Sequence, residues 1–166
     1  RKELDLYSCV RPVSWFPGLP SPLSHPADIN VVLFRENTED LYAGIEFPAH
    51  TQENKVLIDL LKTKFSSQYK KLPFAEEVGI DLKPISRNAS RRIMSAAVQW
   101  AIENQRKRVS IIHKGNIMKY TEGAFRNWAY EVAEIDFCKH CFSKRAWQKI
   151  AEEQGIKAAD EEKKRA

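Results

Sequence analysis

The sequence predicts an α/β fold, and three observations carry that reading. Two short β-branched runs, INVVLF (Ile29 to Phe34) and VSII (Val109 to Ile112), have the composition of buried strands. Between them SRNASRRIMSAAVQWAIENQRKR repeats its apolar residues at helical spacing. The order helix, strand, helix that follows Ser86 is that of a layered α/β architecture.

The elements follow in order. LDLYSCV (Leu4 to Val10) alternates and then turns apolar, as a strand does. RPVSWFPGLPSPLSHP comes next, with five prolines from Pro12 to Pro26. Each ring fixes φ and removes a backbone donor, so this stretch reads as a stiff extended loop. INVVLF is nearly uninterrupted and reads as a strand covered on both faces.

From Asp40 to Ser86 the character changes. LYAGIEF reads as a strand, and NKVLIDLLKTKFSSQYKK places Val56, Leu57, Leu60, Leu61 and Phe65 at helical spacing. EEVGIDLKPIS reads as a further exposed strand. Such an insert has little core of its own and must bury its apolar face elsewhere, against another chain for example.

The clearest helix follows. Ser86 or Asn88 can cap it, Ile93, Ala97, Trp100 and Ala101 form its inner face, and cations close its end. VSII is the next strand, then HKGNIMK, then TEGAFRNWAYEVAEIDF as a second helix with Thr121 at its start. SKRAWQKIAEEQ gives one more amphipathic helix before a charged, solvated tail.

Composition narrows the partners. With 166 residues, 43% apolar and 30% charged, the chain has the profile of a globular domain or of part of a larger one. Lys and Arg outnumber Asp and Glu by 27 to 22, a net +5 that suits a small anion. A nucleic-acid surface would cluster cations with aromatics along one face. The cationic groups here, Arg87/Arg91/Arg92 and Lys163 to Arg165, read as helix surface and tail, so no nucleic-acid partner is expected. Three cysteines argue against a disulfide framework and for a reducing, cytoplasmic setting. No apolar run approaches about 18 residues, so no membrane span is expected. The opening RKELDLY has neither a start methionine nor a signal-peptide pattern, and reads as a portion cut from a longer chain.

Three cations are placed just after predicted strands: Arg11, Arg35, and Lys114 beside Gly115. Loops converge at strand ends in α/β sheets, and arginine offers a planar fork that matches a carboxylate. The competing reading is a surface ion pair, for which Glu36, Glu39 and Asp40 are at hand near Arg35. Tyr42 is either a half-buried strand residue or an acid. Lys114, at the end of a buried strand, would be desolvated toward a working acid–base range. His113 beside it should point the opposite way on that strand. Cys138-Lys-His-Cys141 supplies three ligands at most and has no second pair, so it reads as structural rather than as a zinc site. GxGxxG and GxxxxGK[ST] are both absent.

Taken together, VRPVSWFPGLPSPLSHP, FRENTEDLYAGIE and HKGNIMKYTEGAFRNW closely resemble the NADP-dependent isocitrate dehydrogenases of the β-decarboxylating dehydrogenase family, from Arg1 to about Phe137. Isopropylmalate dehydrogenases carry a more apolar signature at RENTEDLYAGIE and rank below.

The resemblance implies a chemistry. Isocitrate is oxidised by hydride transfer to NADP, with Mg2+ or Mn2+ polarising the carbonyl that forms. Carbon dioxide is then lost and the enolate is reprotonated to 2-oxoglutarate. Arg1, Arg11 and Arg35 match the arginines that clamp the substrate carboxylates. Tyr42 matches the acid that protonates the enolate carbon, and Lys114, reaching in from a partner subunit, matches the residue that handles the hydroxyl proton. Asn116 matches a contact to the nicotinamide end of the cofactor. The metal ligands and most of the cofactor pocket are expected outside this stretch, so the portion alone is expected to be inactive.

The resemblance also implies domains. Residues 1–39 and 87–140 would form the small α/β domain, 40–86 an inserted clasp that interlocks two subunits of a homodimer, and 141–166 a helical insertion or charged tail. A non-catalytic dimerisation module descended from this family is the alternative.

Overall fold

In the computed structural model, which describes residues 3–165, the chain begins with an antiparallel ribbon of β1 (Ser8–Ser14) and β2 (Asn30–Glu36). A 3-10 turn over Asp40–Ala43 leads to β3 (Glu46–Phe47), α1 (Gln52–Lys64), the short α2 (Ser66–Tyr69) and β4 (Ile80–Asp81). Helices α3 (Arg87–Glu103), α4 (Glu122–Glu131), α5 (Lys144–Gln154) and α6 (Ile156–Arg165) complete the mixed α/β chain. These elements gather into two units: one comprises the chain up to Thr38 and from Ile85 onward, the other Glu39–Pro84.

In the larger unit α3 is the centre. Ser86 caps it, its hydroxyl accepting from the Ala89 N–H at 3.1 Å, as the Ser86 alternative for the cap required. Its apolar residues Met94 and Val98 pack with Ala129, Val132 and Ala133, and Ile102, Ile111, Phe137 and Cys141 close around them. Alanine at 129, fully buried, lets the α4 backbone approach α3 closely. Helix α4 runs on into a π turn over Val132–Asp136, where the Phe137 N–H reaches back to the Val132 carbonyl at 3.1 Å. Two ion pairs, Arg87–Glu131 at 2.8 Å and Arg91–Asp136 at 2.6 Å, span α3 and this segment.

The smaller unit is held by a polar residue. Asn54 of α1 is buried, and its amide donates to the Phe47 carbonyl at 2.9 Å and the Val78 carbonyl at 3.1 Å. One side chain thereby joins the helix to the segments that carry β3 and β4. Many large apolar residues of this unit, including Val56, Leu60, Phe65 and Phe74, remain exposed.

Several expectations are corrected. The first strand begins at Ser8 rather than Leu4, and a turn through Asp5, with φ of 44°, precedes it. It continues through Arg11 and Pro12, residues assigned above to the proline loop; in a two-stranded ribbon each strand is an edge and tolerates a missing donor. β2 is not covered on both faces, because α3 packs on one side only and Val31, Leu33 and Arg35 face away. Only the end of LYAGIEF is a strand, β3; the stretch begins as a 3-10 turn, and Gly44, with φ of 65°, supplies the left-handed residue that ends that turn. The predicted helix around Leu57 breaks at Phe65. VSII forms no strand and pairs with no described strand, and Ile112 is 82% exposed. The charged tail is helix α6, which packs on α5 through the fully buried Ala159 and a 2.9 Å bond from the Trp147 indole to Asp160.

Where HKGNIMK meets α4, two glycines touch. A Cβ on Gly115 would lie 2.8 Å from the Gly123 Cα, whereas a Cβ on Gly123 would meet nothing closer than 3.6 Å. Gly115→Ala is therefore predicted to cost about 1–3 kcal/mol through overpacking. Gly123→Ala should be neutral or stabilising by up to about 1 kcal/mol. Val98→Ala, at a site only 1% exposed, should cost about 2 kcal/mol. Urea titrations check all three, by shifts of the midpoint at constant slope.

Candidate functional site

The ribbon sorts its side chains by parity. Val10 pairs with Phe34 and Pro12 with Val32, and this face meets α3, with the Phe34 and Trp100 rings 5.7 Å apart. Cys9 pairs with Arg35 and Arg11 with Leu33, so Arg11 and Arg35 share the opposite face as diagonal neighbours. Both are exposed. They lie within strands rather than after them, which corrects the strand-end placement, and their common face comes from register rather than from converging loops. At diagonal positions roughly 7–8 Å apart, two long guanidinium side chains can reach one polyanion.

The end of β2 behind Arg35 is pinned. Arg92 of α3 donates to both Asp5 carboxylate oxygens at 2.9 Å and to the Thr38 hydroxyl at 2.9 Å. That hydroxyl donates in turn to Glu36 at 2.5 Å, and the Thr38 N–H reaches the other Glu36 oxygen at 2.8 Å. The Arg92 guanidinium also lies over the Tyr7 ring, 4.6 Å from its centroid. By its spacing alone Arg92 reads as helix surface. Only the packing of the segment before β1 against α3 reveals its partners, and nothing in its spacing signals them.

Lys114 sits on a second feature of the same unit. Its N–H donates to Glu122 Oε2 at 3.1 Å, and its carbonyl accepts from the N–H groups of Ile117 and Met118, each at 3.1 Å. The next N–H, that of Gly115, donates to His113 Nδ1 at 3.0 Å. The peptide is thus fixed on every side, and the Lys114 side chain is exposed. The desolvation expected from a buried strand is absent here, because no strand forms and the residue stands at the surface. His113 does not point away as alternation predicted. Without a pleat it turns back onto its own loop. Asn116, also exposed, follows on the same turn.

Tyr42 belongs to the smaller unit, within the 3-10 turn, with 36% of its surface exposed. That turn is tied down by the Asp40 N–H, which donates to the Pro84 carbonyl at 2.9 Å, and by an ion pair between the Asp40 carboxylate and Lys83. Arg1, the remaining substrate arginine of the sequence reading, lies outside the described residues. Cys138 and Cys141 flank a turn after the π segment, and burial pushes the Cys141 thiol above its ordinary range. Among the described residues no group of three His, Cys, Asp or Glu side chains is placed to hold a metal ion, and no helix is long and apolar enough to cross a membrane.

Comparison with known proteins places these features. The family model of isocitrate/isopropylmalate dehydrogenase matches residues 1–155. The NADP isocitrate dehydrogenase of Staphylococcus epidermidis is 46% identical over 166 residues, all of this chain and 39% of that protein. The NADP isocitrate dehydrogenase of Archaeoglobus fulgidus is 50% identical over 155 residues, 93% of this chain and 36% of that protein. Among solved structures, isocitrate dehydrogenase from Methylococcus capsulatus superposes with a TM-score of 0.60 at 32% identity, covering 80% of this chain and 32% of that one. The chain thus spans well under half the length of the relatives it matches. It is a member of the isocitrate/isopropylmalate dehydrogenase family.

Proposed function

We propose that this chain supplies part of the active site of an NADP-dependent isocitrate dehydrogenase that works in the cytoplasm. The observation that carries the proposal is the placement of Arg11 and Arg35 on one exposed face of the ribbon, opposite the face that α3 covers. Isocitrate bears three carboxylates. Charge-assisted bonds from two guanidinium groups, each about 1.5–3 kcal/mol, would orient it with its hydroxyl toward the reacting groups. Arg1 would add a third cation.

Lys114 would take the hydroxyl proton as the hydride leaves, and Tyr42 would return a proton to the carbon from which carbon dioxide departs. A phenol of reference pKa about 10 is a competent donor to a carbanion-like carbon once it is positioned. NADP, when bound, would supply the hydride acceptor, and Asn116, exposed beside Lys114, has an amide suited to a polar group at its nicotinamide end. The described residues do not form a site for Mg2+ or Mn2+.

The smaller unit, 39–84, is proposed to join two copies as a homodimer. Its exposed apolar residues, among them Leu41, Ile45, Phe65 and Phe74, support that role. In such a dimer Lys114 would serve the partner's site. A dimerisation module without catalysis is the second reading, favoured by the same apolar surface.

The test grafts these 166 residues in place of the matching segment of the Staphylococcus epidermidis enzyme. The chimera should reduce NADP in an isocitrate-dependent reaction, and Arg35→Ala should weaken isocitrate binding about 10- to 150-fold. Tyr42→Phe should still release a first turnover of reduced cofactor while overall turnover stalls. Mixing inactive Lys114→Ala and Arg35→Ala chimeras should restore part of the activity. A dimeric chimera that neither binds nor turns over isocitrate would support the module instead. Full turnover by Tyr42→Phe would remove the role given to that residue.

A further inference from the structure

We infer that His113 is the positioning residue for Lys114, acting through the Gly115 peptide; the inference rests on the acid–base role proposed for Lys114. The imidazole Nδ1 accepts the N–H of the residue two positions on, at 3.0 Å. This is the bond that an Asn or Asp side chain makes in an Asx turn, here made by a histidine. An Nδ1 that accepts carries no proton, so the ring is held in the Nε2–H tautomer.

The need for that bond follows from the loop's packing. Gly115 is buried and pressed against Gly123, so its N–H is removed from water and requires a partner. The neighbouring groups are already committed: the Lys114 N–H to Glu122, the Lys114 carbonyl to Ile117 and Met118, and the Gly123 N–H to the Met118 carbonyl at 3.0 Å. The side chain of His113 is placed to satisfy Gly115. Without it the buried Gly115 N–H is left unpaired, and the Lys114–Gly115 peptide keeps only its carbonyl bonds to Ile117 and Met118 to set the direction in which Lys114 leaves the backbone. Glu122 holds one side of the lysine and His113 the other. The lysine itself is exposed.

The inference predicts a distinction between isosteres. Asparagine places its Oδ1 where Nδ1 lies and should preserve the turn; leucine has similar bulk and no acceptor. In the 166-residue chain, nitrogen-correlated NMR of the His113 ring should show an unprotonated Nδ1 and a protonated Nε2. The Gly115 amide should exchange slowly in the wild type and in His113→Asn, and at least about tenfold faster in His113→Leu. In the chimera described above, His113→Leu should lower kcat at least about tenfold, part of the roughly 10²–10⁴-fold that acid–base catalysis supplies. Its KM for isocitrate should move less than about twofold, and His113→Asn should retain kcat within about threefold.

A ring protonated at Nδ1 in the wild-type chain overturns the inference, and that measurement needs no variant to fold. So does a Gly115 amide equally protected in His113→Leu, or a kcat lost equally in Asn and Leu. Failure of the underlying reading looks different: a Lys114→Ala chimera would keep full turnover while the Gly115 amide still answered to His113.

Discussion

The packing of α3 against one face of the β1–β2 ribbon is the constraint on which the larger unit turns. A strand exposes alternate residues to opposite sides, so covering Val32 and Phe34 obliges Arg35 to stand on the far side. Antiparallel register then carries Arg11 to the same side through Cys9 and Leu33. A one-residue slip in that register would send Arg11 toward α3 and separate the two cations. The network from Arg92 through Thr38 to Glu36 guards against such a slip by fixing the end of β2 to the helix that covers it.

The second feature, the turn at Lys114, is built by another means. No regular element holds it; backbone groups are satisfied one at a time by Glu122, His113 and the start of the following turn. Close approach of Gly115 and Gly123 makes this possible, since any side chain at 115 would push the turn off the start of α4. The two features are thus built differently: sheet register sets the spacing of Arg11 and Arg35, and a tightly bonded turn presents Lys114.

The smaller unit follows a different economy of contacts. Its interior is tied by the amide of Asn54 rather than by a large apolar core, and several of its large aliphatic and aromatic residues lie on the outside. A buried amide that bonds two carbonyls specifies geometry at modest net energy, about 0.5–1.5 kcal/mol per bond. Much of its apolar surface is thus left uncovered.

Much of this was legible in the amino acids. The amphipathic period of α3, its serine cap, the α5 pattern and the mixed α/β class were all readable. So were the residue types that suit a polyacid and the motifs shared with the family. Each depends on local spacing or on short motifs, and spacing survives without knowledge of neighbours. The strand expected at VSII failed because a β-branched run needs a partner, and none of the described residues pairs with it. INVVLF proved half-exposed for a similar reason: composition records apolarity but not how many faces are covered. The order of residues therefore settled which side chains are available, among them two arginines, a lysine and a tyrosine. Their common face, the partners of Arg92 and the inward turn of His113 arose from contacts between segments distant in the chain or from a backbone without pleat, and no periodicity encodes either.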